Sequence, residues 1–371
     1  MREYRIDVPQ QAVDDLGERL RQTRWPRQLP GSGWARGVPV DYLRSVAERW
    51  LAYDWRKWEE RLNAYPQFVT EIDGQLIHFL HVRSPSPDAL PLVLTHGWPG
   101  SVAEFLDVIG PLTDPAAHGG DPRDAFHVVA PSVPGHGFSV PLQDGWDHGR
   151  IARAWAVLMS RLGYERYGAQ GGDTGSVVSP LVGQVDPEHV VGVHINGGLA
   201  FPAVEPGDVL TDVERERLAA AERLRAVGTG YAELQGTRPQ TVSFGLSDSP
   251  AGQLAWVLEK FWEWTDPARE LPEDAVALDH LLTDVSIYWF ANTSATSANL
   301  YYENRQAAEV VRPGVPVGVA VFPTDPAIRQ VLDRQHHIVH WSEFTRGGHF
   351  AALEAPDLLV DDIRAFFRLV R

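Results

Sequence analysis

Apolar positions recur along the chain in two rhythms that trade places. Val13, Leu16 and Leu20 fall at helical spacing and predict a helix over 13–21. A Pro/Gly-rich stretch follows, from Trp25-Pro26 through Gly31, Gly33 and Pro39, and then a second amphipathic helix is expected over 40–53 with Trp50 on its apolar side. Residues 68–80 read as two strands around Asp73-Gly74, a hairpin. From Pro91 onward, short apolar runs at 91–95, 126–131, 166–170 and 190–195 alternate with helical stretches at 101–111, 148–163 and 176–185, the last interrupted by Pro180. Strands that are apolar on both sides and joined through helices belong to a parallel sheet covered on both faces. Past about residue 200 the rhythm breaks: 211–227, 254–264 and 278–302 read as helices with no strand pattern among them. Strands return at 315–322 and 338–344, and a helix over 356–370 closes the chain.

The expected fold class is therefore α/β, a mostly parallel central sheet with a helical insertion and an N-terminal meander. Residues 1–85 form an N-terminal segment wrapping the rest, 86–200 and 313–371 the two parts of the core, and 201–312 a helical cap over the C-terminal edge of the sheet, where open α/β sheets bind ligands. Five of the 13 tryptophans lie in the first 58 residues, as expected of a loop-rich segment strapped across a neighbour by aromatic side chains.

Composition narrows the function. A formal charge of −16 argues against a nucleic-acid or anionic-membrane partner. The absence of Cys excludes disulfides and thiolate metal sites. No apolar run follows Met1-Arg2-Glu3-Tyr4-Arg5, and no stretch approaches the ~20 apolar residues of a spanning helix, so a soluble cytoplasmic protein is expected. The only lysines, Lys57 and Lys260, stand among many arginines, a bias that points to a GC-rich genome.

The chemistry concentrates in Gly171-Gly172-Asp173-Thr174-Gly175, which lies between an expected strand and an expected helix. Glycines two residues either side of a central residue are the geometry of a nucleophile elbow, with aspartate where serine usually stands. A carboxylate there sits at a helix N-terminus that favours its charge, and can attack an electrophilic carbon to give an ester; the plain alternative is a helix cap. His349, in Arg346-Gly347-Gly348-His349-Phe350, follows the last strand, and Asp325, in Phe322-Pro323-Thr324-Asp325, follows the one before. Taken singly these read as a surface histidine and a turn residue. In the order nucleophile, acid, histidine they match the α/β-hydrolase fold, His349 drawing a proton from water and Asp325 holding its imidazole. His96-Gly97-Trp98-Pro99 follows an earlier strand, and the backbone amides of Trp98 and Thr174 are expected to form an oxyanion hole, the alternative being a tight turn. His336, His337 and His340 lie at a helix-to-strand passage and are not read as a metal site; no cofactor is expected.

Together, G-G-D-x-G, H-G-W-P-G, F-P-x-D and R-G-G-H-F resemble the microsomal-type epoxide hydrolases, over nearly the whole chain and including the N-terminal segment. The resemblance implies two cap tyrosines that hydrogen-bond an epoxide oxygen, matching Tyr231 in Gly230-Tyr231-Ala232-Glu233-Leu234-Gln235 and Tyr301 in Leu300-Tyr301-Tyr302-Glu303-Asn304; from sequence alone each also reads as a packing residue, and Tyr302 competes with Tyr301. It implies a cofactor-independent enzyme that turns a small-molecule epoxide into a vicinal diol through an ester on Asp173. Three departures stand out. Thr174 replaces the Trp that family members often carry beside the nucleophile. Asp325 is one methylene shorter than the Glu of the best-known mammalian members. The membrane anchor of animal members is not expected here. The aromatic cap and N-terminal segment point to a bulky, apolar, aryl-substituted substrate, and the GC-rich bias to bacterial secondary metabolism, antibiotic biosynthesis or detoxification; a homodimer is allowed. The competing readings are a haloalkane or haloacid dehalogenase using the same Asp–His chemistry, and a non-catalytic binding protein on a hydrolase fold.

Overall fold

The strand-forming runs pair into one sheet. The computed structural model describes residues 1–196, 202–306, 312 and 314–371. Its strands are β1 (Arg2–Glu3), β2 (Gln67–Ile72), β3 (Gln75–Val82), β4 (Leu90–Thr95), β5 (Phe126–Pro131), β6 (Tyr167–Gly172), β7 (Val190–Asn196), β8 (Pro316–Val321) and β9 (His337–Glu343). They lie in the order β1-β2-β3-β5-β4-β6-β7-β8-β9. The pairings from β1 to β5 are antiparallel, and those from β5 through β4 to β9 are parallel. The β2–β3 turn is Asp73-Gly74, both at positive φ (50° and 77°), as a tight hairpin requires.

Strand alternation sorts the core into two layers. Val93, Val129, Ala169, Val193 and Val317 pack on one face against the helices His148–Arg161 and Gly175–Val185. Leu92, Leu94, Val128 and Ala130 pack on the other face against the closing helix Pro356–Val370, through Leu359, Ile363, Phe366 and Phe367. The N-terminal helices Gln10–Arg21 and Val40–Leu51 bury Leu16, Leu20, Val46 and Trp50 against Leu254, Phe261, Leu281 and Tyr288, which lie on helices between β7 and β8. The Trp50 indole N–H donates to Ser286 Oγ at 2.9 Å across this seam. No helix among the described residues is long and apolar enough to cross a membrane.

Three helical expectations change. The stretch 278–302 is two helices, Leu278–Phe290 and Thr293–Gln306, because Asn292 adopts φ 52°, a left-handed conformation that asparagine tolerates and helices do not. The stretch 101–111 is a 3-10 turn, Val102–Phe105, capped by Ser101 Oγ, followed by the separate helix Ile109–Thr113. Helices Trp55–Asn63, Gly230–Thr237 and Pro239–Asp248 are additional, the last two hidden by their glycines and proline. Residues 200, 201 and 313, at the expected segment boundaries, lie outside the described residues.

Behind the sheet, His340 belongs to a polar knot. Asp362 of the closing helix accepts from His194 Nε2 on β7 at 2.9 Å and from His340 Nε2 on β9 at 2.8 Å. Burial alone would raise the Asp362 pKa, but the hydrogen bonds from His194 and His340 win and hold it well below the ordinary range. A depressed carboxylate stabilises the fold fully above its unfolded pKa, about 3.9, and loses that contribution as pH falls through its folded value. Asp362→Ala is therefore expected to cost about 1–3 kcal/mol at neutral pH by leaving buried imidazole N–H groups without an acceptor. In urea melts the gap to wild type should be complete above roughly pH 4 and narrow below it.

Candidate active site

Asp173 closes the turn between β6 and the helix Gly175–Val185 with φ 50°, an uncommon conformation for a non-glycine residue. The flanking glycines are required by space. A Cβ on Gly171 would lie 2.6 Å from Gly175 Cα, and one on Gly175 would lie 2.1 Å from the Thr95 carbonyl oxygen. Asp173 is not the cap of that helix; its carboxylate is held from outside. Oδ1 accepts the backbone N–H groups of Trp98 at 2.9 Å and Thr174 at 2.7 Å, and the Thr174 hydroxyl at 3.2 Å. The approach of the His96–Pro99 loop depends on Gly97, where a Cβ would stand 2.1 Å from Oδ1. Oδ2 faces His349 Nε2 at 3.0 Å.

The loop carrying His349 is shaped by its own glycines. Gly347 has φ 87°, and a Cβ on Gly348 would lie 2.7 Å from the backbone of Thr265 and Asp266. The loop is fastened there by Gly347 N–H to Asp266 Oδ2 at 3.0 Å and His349 N–H to the Trp264 carbonyl at 2.9 Å. Charge sets the pair's protonation. Burial pushes the His349 pKa down, but the hydrogen bond and charge of Asp173, then the charges of Asp325 and Glu354, override it and raise it. Burial likewise works to raise Asp173, but the hydrogen bond and charge of His349, and then the amides of Trp98 and Thr174, lower it instead. Both shifts favour the ion-paired form of the contact.

Asp325 lines the same cavity as His349, but its Oδ2 accepts the Phe322 N–H at 2.7 Å, and no direct hydrogen bond joins it to His349. The two communicate through charge, as befits the shorter acid. Burial raises the Asp325 pKa to about 6 against the pull of the Phe322 amide and His349.

Tyr231, on Gly230–Thr237, and Tyr301, on Thr293–Gln306, meet with ring centroids 5.8 Å apart above Trp98; the Tyr231 ring stacks on the Trp98 indole at 5.0 Å. Tyr302, by contrast, is 42% exposed. Burial, and then the negative charge of Asp173, push the Tyr231 pKa upward; Tyr301 is raised by burial, then by Tyr231 and Asp173. Both phenols stay protonated. Asp173, His349, Asp325, Tyr231 and Tyr301 all line one cavity of about 420 Å³.

Two further acids near the site were not singled out by the sequence reading. Glu354 accepts the backbone N–H groups of Asp266 and Phe350, and burial lifts its pKa to about 7. Glu104 lies behind Asp173. The available signal for Glu104 was a lone carboxyl within the apolar run Val102-Ala103-Glu104-Phe105-Leu106. No group of three or more potential metal ligands occurs among the described residues.

An aspartate on a strand-to-helix elbow, backbone amides on its carboxylate and a histidine from a loop after the last strand define an α/β hydrolase. The alpha/beta hydrolase fold family matches residues 91–247, and the family described as Epoxide hydrolase N terminus matches residues 1–105. A relative from Stigmatella aurantiaca, provisionally named an epoxide hydrolase, is 47% identical over 376 residues, covering 99% of this chain and 85% of its own. Epoxide hydrolase 1 of Sus scrofa is 35% identical over 404 residues, covering 100% of this chain and 89% of its own. The structure of Aspergillus niger epoxide hydrolase superposes with a TM-score of 0.88 at 33% identity, covering 100% of this chain and 96% of that one. The chain belongs to the epoxide hydrolase family, enzymes that act on small-molecule epoxides.

Proposed function

We propose that this epoxide hydrolase works through a covalent ester on Asp173, with the helices between β7 and β8 as the cap that supplies the acid. The observation that carries this reading is the single cavity shared by a carboxylate, an imidazole and a pair of protonated phenols. Tyr231 and Tyr301 donate to the epoxide oxygen while Asp173 Oδ2 attacks a ring carbon from the opposite side. The carbon–oxygen bond of the ring breaks, the alkoxide takes its proton from a phenol, and the proton that His349 sheds once Asp173 is esterified restores that phenol through solvent. Water then adds to Cγ of the ester, His349 Nε2 accepting its proton, and the negative charge gathers on Oδ1 against the Trp98 and Thr174 amides. Collapse breaks the Cγ–Oδ2 bond, the imidazolium returns its proton to the departing oxygen, and the new Asp173 carboxyl passes its remaining proton to His349. The product is a vicinal diol carrying one aspartate oxygen.

Electrostatics support this order of events. While Asp173 is ionised, its charge keeps a proton on His349. Alkylation removes that charge, and burial then pushes the imidazole toward its neutral form, so the base becomes available when the ester needs it. Asp325 supports the imidazolium by charge. The aromatic wall of Tyr231, Trp264 and Tyr301, together with Leu224 and Leu300, favours an apolar, aryl-bearing epoxide.

A single turnover of styrene oxide in heavy-oxygen water tests the reading. One labelled oxygen is expected in the peptide containing Asp173 and none in the first-turnover diol. A labelled diol with an unlabelled peptide would mean that water attacks the epoxide directly.

A further inference from the structure

Asp173 and His349 also border a second, much smaller chamber on the side away from the tyrosines. It measures about 20 Å³, enough for one water molecule, and its walls include Gly97, Glu104, Gln170 and Asn196. Glu104 is half-buried and lines this chamber. Its carboxyl makes no hydrogen bond to any described residue, although a Cβ on Gly100 would lie 2.6 Å from its Oε2. A half-buried carboxyl without a protein partner takes water as its hydrogen-bond partner. Ala351 and Ala352 complete the wall, small residues that leave the space open.

We infer that Glu104 is the residue that positions the hydrolytic water, holding it in this chamber behind the nucleophile while the substrate occupies the large cavity in front. The inference rests on the covalent reading above. In the ester, Oδ2 is bonded to substrate carbon and no longer competes for His349 Nε2. The chamber water then donates one hydrogen to the Glu104 carbonyl oxygen and the other to Nε2, which leaves a lone pair directed at Cγ. Water oxygen bonds to Cγ, its proton passes to Nε2, and the pair of electrons displaced from the C=O bond rests on Oδ1. Glu104 exchanges no proton in this step. Its protonation fits the role: burial, then the charges of Asp284 and Asp173, raise its pKa well above the ordinary range, so it solvates the water without repelling the carboxylate beside it.

The test separates the half-reactions of the enzyme by rapid mixing with styrene oxide. Ester formation and decay are quantified by intact-protein mass and by the fluorescence of Trp98 and Trp264, which flank the site. Glu104→Met should form the ester within about threefold of the wild-type rate but hydrolyse it roughly 100-fold more slowly, because the water loses its orientation. Glu104→Gln keeps an acceptor oxygen and should recover hydrolysis to within about tenfold of wild type. Ala352→Val, which narrows the chamber while leaving the Glu104 carboxyl in place, should slow hydrolysis as Glu104→Met does and decides the matter if the methionine variant fails to fold. Wild-type ester decay in Glu104→Met or in Ala352→Val, or an equal slowing of both half-reactions, would overturn the assignment. A wild-type enzyme that never forms an ester would instead overturn the covalent mechanism.

Discussion

Asp173→Asn is expected to reduce diol formation by about 10⁴- to 10⁶-fold, the range seen when a hydrolase loses its nucleophile. The substitution preserves side-chain volume at φ 50° and leaves the flanking glycines untouched, so the elbow should still fold. It removes the anion, and with it three things at once: the attacking electron pair, the charge that the Trp98 and Thr174 amides enclose, and the partner that keeps a proton on His349. Steady-state assays on protein with an unchanged near-ultraviolet circular dichroism spectrum would measure the loss. Activity within tenfold of wild type would remove Asp173 from the reaction path.

His349→Ala should behave differently, and the contrast is the stronger evidence for an ester. Alkylation needs no base, so one equivalent of substrate should add to the protein, seen as a mass increase on Asp173. Hydrolysis should slow by about 10²- to 10⁴-fold, the usual contribution of a general base. The pH dependence carries the same logic. Neighbouring negative charge raises the pKa of His349 in the free enzyme. Esterification deletes the largest of those charges, so ester hydrolysis should fall off toward acid with an apparent pKa nearer the ordinary ~6.5 than that of the resting histidine. Single-turnover decay measured from about pH 5 to 8 would show it. An ester whose decay follows the free-enzyme pKa would place the controlling proton elsewhere.

The parallel strands and the elbow were legible because each rests on short-range rules: apolar runs make covered strands, and glycines flanking a tight turn leave no room for side chains. The strands from Leu90 to Val321 fall within a few residues of expectation for that reason. The helices between β7 and β8 were harder. Gly230–Thr237 and Pro239–Asp248 carry glycines and a proline that mask helical spacing, and they hold their shape by packing, as Tyr231 does on Trp98. Tyr301 over Tyr302 came from motif resemblance alone; periodicity could not separate adjacent residues, whereas their exposures do. Glu104 left only a lone carboxyl in an apolar run as its signal, because the chamber it lines is built from residues distant in sequence.

The left-handed kink at Asn292 sets the rotational phase of the helix Thr293–Gln306. Along an unbroken helix the 13 positions from Tyr288 to Tyr301 would turn the second ring about 220° from the first, since each residue advances roughly 100°. Yet Tyr288 donates to the Gly100 carbonyl while Tyr301 overhangs Trp98, a short way along the same loop. The kink thus works as an index mark. Losing or gaining one residue beside it would swing the tyrosine off the cavity and bring a neighbour round in its stead, so this junction should resist length variation even where its residue identities drift.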